Sequence, residues 1–194
     1  SGFARVAEPI TAGVPLSRAA NVLSVGRLGL FAGGREIPAQ FAELARWGGV
    51  AGDASRPIRW VLVDAQVDVP AGGRLDLELR DKGRDLAPPS PAQPLSIDGS
   101  EAARLWLRTG GFEVAIDRSR GSLFGSIRLD GRELLAGSAP GGGVLVARDG
   151  TVYRTSNAPA SVQVERAGAL RSVVAISSGL VSDAGGRLGG TDVR

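Results

Sequence analysis

The sequence predicts an all-β chain, with a small β-barrel in its first half and an antiparallel β-sandwich in its second. Three observations carry that expectation. The stretch Arg59-Trp60-Val61-Leu62-Val63 crowds bulky residues together and then alternates through Ala65, Val67 and Val69, the pattern of a central strand buried on both faces at one end. Leu75, Leu77 and Leu79 alternate with Asp76, Glu78 and Arg80, the period of a half-buried strand. Asp130-Gly131 and Asp149-Gly150 are hairpin turn pairs, because glycine accepts the positive φ of primed turns. No segment sustains a helical apolar period over ~10 residues.

Taken in order, residues 3–14 read as extended, and Pro9 and Pro15 confine them to a sheet edge because proline gives the ladder no N–H. Residues 17–20 begin a short helix whose apolar spacing does not continue. Leu28-Gly29-Leu30-Phe31 is a strand, and Ala32-Gly33-Gly34 is its turn. Residues 37–47 follow, alternating at Ala39, Phe41 and Leu44, and a glycine-rich loop over residues 48–55 leads into the central strand. Pro70-Ala71-Gly72-Gly73 closes that strand. Several short strands that must cover their edges give the barrel, over residues 1–86.

Residues 87–96 carry Pro88, Pro89, Pro91 and Pro94 with little apolar bulk, a linker stiffened toward polyproline II. The sandwich spans residues 97–194. Leu105-Trp106-Leu107 and Phe112-Glu113-Val114-Ala115-Ile116 flank Gly110-Gly111, and residues 144–147, 152–155, 161–165 and 170–176 are further strands. The chain ends shortly after Gly185-Gly186 and Gly189-Gly190, where a returning strand is expected next, so the sandwich reads as incomplete.

Composition closes off several kinds of chemistry. There is no histidine or cysteine, which removes the common zinc sites, disulfides and any Ser-His-Asp or Cys-His relay. No P-loop motif occurs, and Gly141-Gly142-Gly143 precedes no helix start, so it reads as a loop. Nothing calls for a cofactor or a metal. Of the 23 basic residues only Lys82 is a lysine, and 11 fall before residue 93 against 10 acids. Neither half is therefore a polycation, which argues against a nucleic-acid partner. No run reaches the ~20 apolar residues of a membrane-spanning helix, so no membrane partner is expected either. Arginine does suit bidentate contact with carboxylates, which keeps an acidic polysaccharide open as a partner.

Carboxylate catalysis has weak support. Asp64 and Asp68 lie four apart on one strand, about 13 Å at the backbone, whereas a glycosidase pair needs about 5–10 Å. Both read as solvated or arginine-paired acids. Lys82 sits in a charged, exposed run, and Tyr153 is the only phenol; either could serve as a base in principle. No catalytic residue is assigned. For sugar binding the flat side chains are Trp47, Trp60, Trp106 and Tyr153 with five phenylalanines. Trp60 reads as core. Trp47, beside Gly48-Gly49, stands between core and surface platform, and Arg46 and Arg59 each precede a tryptophan. Trp47, Arg46 and Arg59 are the candidate carbohydrate-binding residues.

Several segments together resemble a known family. They are Gly13-Val14-Pro15-Leu16, Gly34-Arg35-Glu36-Ile37-Pro38-Ala39-Gln40-Phe41, Ala45-Arg46-Trp47, Ile58-Arg59-Trp60-Val61-Leu62-Val63-Asp64 and Val69-Pro70-Ala71-Gly72-Gly73. In order and spacing they resemble the N-terminal, RIFT-like barrel of the exo-rhamnogalacturonan lyase family. Gly142-Gly143-Val144-Leu145-Val146, Asn157-Ala158-Pro159-Ala160-Ser161-Val162 and Gly168-Ala169-Leu170-Arg171-Ser172-Val173-Val174 resemble its central β-sandwich more loosely. The resemblance implies a parent protein that cleaves rhamnogalacturonan-type pectin by β-elimination. It also implies export to the periplasm or beyond. The family's catalytic residues are placed in a following α/α-toroid, so this chain is expected to be a non-catalytic scaffold partnered by the remaining domains. The alternative is a free-standing module for acidic carbohydrate.

Overall fold

The computed structural model describes residues 2–135 and 141–193. The protein is all-β, its strands paired in antiparallel sheets. It divides into two compact units, Ser1–Ala92 and Gln93–Arg194, the division falling within the proline-bearing segment.

The first unit is a small barrel of six strands: β1 (Arg5–Pro15), β2 (Leu28–Ala32), β3 (Arg35–Ile37), β4 (Ala39–Arg46), β5 (Ile58–Val69) and β6 (Leu77–Asp81). They pair as two three-stranded sheets, β1-β5-β4 and β3-β2-β6. Both enclose one core of Val22, Leu28, Leu30, Ile58, Val61 and Val63, against which Leu77 and Leu79 pack. β5 is the central strand of its sheet. Its odd residues Val61, Val63, Ala65 and Val67 are buried in the core, as a period of two requires. Register shifts in the β4–β5 ladder, with Leu44 extra on β4 and Arg59 extra on β5, bend the pair as β-bulges do. The β2–β3 turn has Gly33 at φ 56° and Gly34 at φ 82°, the two left-handed positions of a primed hairpin turn.

Three expectations in this unit are corrected. Trp60 is not core: it precedes the inward Val61, and the extra residue Arg59 separates it from the inward Ile58, so it lies on the outer face of β5, 38% exposed and against Gly13 of β1. Asp64 shares that outer face yet is buried, accepting a hydrogen bond from Thr11 Oγ1 at 2.6 Å, so it is not a solvated acid. Lys82 is not exposed. Its side chain is largely buried, with Nζ 2.8 Å from Glu36 Oε1 and donating to the Leu86 carbonyl at 3.2 Å. The buried Gly29 clears the space for this pair, since a Cβ there would sit 2.8 Å from Glu36 Oε1. Asp68 also has a structural task, because its Oδ1 accepts from the backbone N–H of Ala7 at 2.7 Å, where the β1 ladder bulges.

The second unit comprises β7 (Ser96–Asp98), β8 (Arg104–Thr109), β9 (Phe112–Asp117), β10 (Ser126–Leu129), β11 (Arg132–Glu133), β12 (Val144–Val146), β13 (Val152–Arg154), β14 (Ala160–Arg166), β15 (Val173–Ser182) and β16 (Arg187–Val193). One sheet has the order β11-β10-β9-β8-β7; in the other, β15 pairs with β13, β14 and β16. The turn between β15 and β16 closes at Gly185, and residues 189–190, expected as turn glycines, lie within β16. Trp106 is buried on the charged face of the first sheet. Its Nε1 donates to Glu101 Oε1 at 3.0 Å, and the guanidinium carbons of Arg108 and Arg128 lie 4.9 and 5.4 Å from its ring centre.

The β10–β11 hairpin turns on Asp130 (φ 49°) and Gly131 (φ 77°) and is clasped by Glu133. The Ser126 hydroxyl donates to Glu133 Oε2 at 2.5 Å, and the Ile127 N–H donates to Oε1 at 3.0 Å. These hydrogen bonds, the Ser126 one foremost, pull the Glu133 carboxyl from 4.5 down to about 2. A depressed folded-state value means the clasp stabilises fully above about 4.5 and is lost as pH falls from there toward about 2. Glu133→Gln should therefore lower the urea midpoint at neutral pH and flatten its decline across that acid window. An unchanged acid profile in the variant would rule out the clasp as its source.

Candidate functional site

The sequence-derived candidates converge at one end of the barrel, where β4 finishes and β5 begins, but they do not share a role. Trp47 follows the last residue of β4. Its backbone N–H donates to the Pro57 carbonyl at 2.9 Å and its indole Nε1 to the Leu16 carbonyl at 3.1 Å. Two anchors fix the ring while leaving it half-buried, which suits a platform better than a core residue. Arg59, on the paired strand, is exposed and carries its guanidinium carbon 5.0 Å from the Trp47 ring centre. A guanidinium held over an indole keeps its in-plane N–H groups free to face an incoming carboxylate.

Arg46 does not face solvent. It is 8% exposed, and its guanidinium forks onto Glu43, through Nε to Oε1 at 2.8 Å and Nη2 to Oε2. Its Nη1 donates to the carbonyls of Arg56 at 2.5 Å and Leu23 at 3.2 Å. The Arg46 hydrogen bonds hold the Glu43 carboxyl below its ordinary range against the opposing effect of burial, and raise Arg46 in turn. Glu43 Oε1 also accepts from the Gly52 N–H at 2.6 Å, which ties the glycine-rich loop back to β4. Arg46 is thus a buried structural residue that ties the end of β4 to the carbonyls of Leu23 and Arg56.

No family model and no curated protein matches the chain.

The other acids singled out from the sequence do not assemble an acid–base site: Asp64, mid-ladder, is spent on Thr11, and Asp68, near the ladder's end, on Ala7. Among the described residues, no group of three or more acids, histidines or cysteines could hold a metal ion. No helix among them is long and apolar enough to cross a membrane.

A second recess, in the second unit, escaped sequence reasoning. Ser119 and Arg120 after β9, Ser156 and Asn157 between β13 and β14, and Ser182 and Asp183 at the end of β15 line a polar cleft of about 560 Å³. Its only sequence signal is the polar triplet Thr155-Ser156-Asn157 before Pro159, which reads as an ordinary turn. The cleft is made by segments distant in the chain, so spacing could not reveal it.

Proposed function

We propose that this chain is a non-catalytic β scaffold, from a protein resembling the rhamnogalacturonan lyases, that holds acidic polysaccharide for cleavage elsewhere. One observation carries the reading: an exposed arginine stacked on an anchored, half-buried tryptophan at the barrel's end. The indole offers a flat apolar face for a pyranose ring, and the guanidinium offers paired donors for a uronate carboxylate. Arg46, Glu43 and the tethered loop keep that surface rigid, which lowers the ordering cost of binding.

Calorimetry with rhamnogalacturonan and homogalacturonan oligosaccharides tests the reading. Arg59→Ala should weaken binding about tenfold, the size of a lost charge-assisted hydrogen-bond pair, while leaving the melting temperature nearly unchanged. Arg59→Lys should not restore it, because an ammonium cannot make the planar fork. Flat calorimetry across the panel would sink the binding role. Unsaturated uronides released by the purified chain alone would sink the non-catalytic one.

A further inference from the structure

We propose that the cleft between Arg120, Asn157 and Ser182 is a second binding site, taking a carboxylated, hydroxyl-rich ligand, an acidic saccharide unit. The ligand class rests on the reading above; the site stands on its own geometry. A volume of about 560 Å³ lies within the range of small-ligand clefts. Arg120 is exposed at its rim and forms no ion pair among the described residues. The acid opposite is already engaged: Asp183 Oδ1 accepts from Asn157 Nδ2 at 2.9 Å and lies 3.7 Å from Arg154 Nε. Asp117, beside Arg120 in the chain, is occupied by the N–H and hydroxyl of Ser119 at 2.7 and 2.6 Å. The rim therefore offers an anion one guanidinium that is held in no ion pair among the described residues, its charge partly offset by Asp117 nearby.

The hydroxyls supply the rest. Ser119 Oγ donates to Asp117, which leaves its lone pairs for a ligand hydroxyl. Ser182 Oγ accepts from the Gly186 N–H at 3.0 Å and keeps its own proton to give. Ser156 Oγ is enclosed and has no hydrogen-bond partner among the described residues. An enclosed, unpaired hydroxyl is costly, and a turn about χ1 toward the cleft it lines would let a ligand oxygen satisfy it.

The floor is rigid. Thr155 Oγ1 donates to the Gly121 carbonyl at 2.6 Å and accepts from the Gly143 N–H at 2.9 Å. Ser178 Oγ lies 3.1 Å from the carbonyls of both Thr155 and Pro159, and the Gly121 N–H donates to the Ala158 carbonyl at 3.0 Å. Cation, donors and acceptors are thus held on a preformed frame, which favours an anion that also carries hydroxyls over a bare one.

The test titrates the full chain with digalacturonate, lactose and inorganic phosphate, comparing wild type with Arg120→Ala, Ser156→Ala and Arg59→Ala. Digalacturonate should show two binding events, one weakened at least tenfold by Arg120→Ala and the other by Arg59→Ala, with lactose weaker at both. Ser156→Ala should weaken the Arg120 event while leaving the melting temperature unchanged or higher, which a structural role would not do. A single event lost only in Arg59→Ala overturns the cleft and leaves the scaffold reading intact. Phosphate binding that Arg120→Ala abolishes, without digalacturonate binding, overturns the saccharide assignment. A lower melting temperature for Ser156→Ala overturns that residue's part, and no binding by any probe overturns both readings.

Discussion

Gly121→Ala should destabilise the second unit by about 3 kcal/mol, the upper end of overpacking costs with a broken buried hydrogen bond added. A Cβ at Gly121 would stand 2.2 Å from Ser178 Oγ and 2.5 Å from the Thr155 carbonyl oxygen. Neither neighbour is the loose end of a flexible side chain. Ser178 and Thr155 are both buried, and Ser178 Oγ is held by the Thr155 and Pro159 carbonyls. The methyl group must therefore push apart the segments that meet here, those of residues 119–122, 155–159 and 178. Urea unfolding followed by Trp106 fluorescence, in a background where Trp47 and Trp60 are phenylalanine, reads the second unit alone. A midpoint within error of the parent would show that this packing relaxes freely, contrary to the geometry.

Arg46→Ala should cost the first unit about 3–5 kcal/mol, the range for breaking a buried ion pair from one side. The alanine leaves the Glu43 carboxylate, only 17% exposed, without its cation. It also leaves the carbonyls of Leu23 and Arg56 without their shared donor. The double variant Arg46→Met with Glu43→Leu should recover most of the loss, because an apolar pair of similar volume removes the uncompensated charge. Calorimetric melting distinguishes the alternatives: if Arg46→Ala melts like wild type, the residue is not the structural pin described. The same variant separates structure from binding, since any loss of saccharide affinity should track the fraction unfolded.

Much of the strand pattern was legible because local alternation is set by burial on one face. Val61, Val63, Ala65 and Val67 announce the core side of β5, and Leu77 and Leu79 that of β6. Ser17 caps a single turn of 3-10 helix at Arg18–Ala20, just where the helical start ran out. Leu75, by contrast, alternates with its neighbours but lies before β6 begins, since its period carries no information on pairing. What failed to show were contacts whose partners lie far along the chain. Lys82 reads as solvated among its charged neighbours, yet Glu36, 46 residues away, draws it inward. Trp60 reads as core by bulk alone, but it alternates with the inward Val61 and faces outward, while the irregularity at Arg59 puts Ile58 in the core instead. Arg46 and Arg59 look alike in sequence, each preceding a tryptophan; the register shift pairs Arg46 with the buried Ile58 and leaves Arg59 as the extra, exposed residue of β5.

Among the described residues β1 pairs with β5 alone, and the Leu16 N–H, just past its end, donates to the Arg59 carbonyl. Even-numbered amides of this segment therefore point inward, and the odd-numbered ones form the free margin. Two of those odd positions, Pro9 and Pro15, have no hydrogen to offer, so an incoming chain would find only Thr11 and Gly13 as donors between them. The longest strand edge of the first unit is thereby a poor template on which a second copy could add a strand.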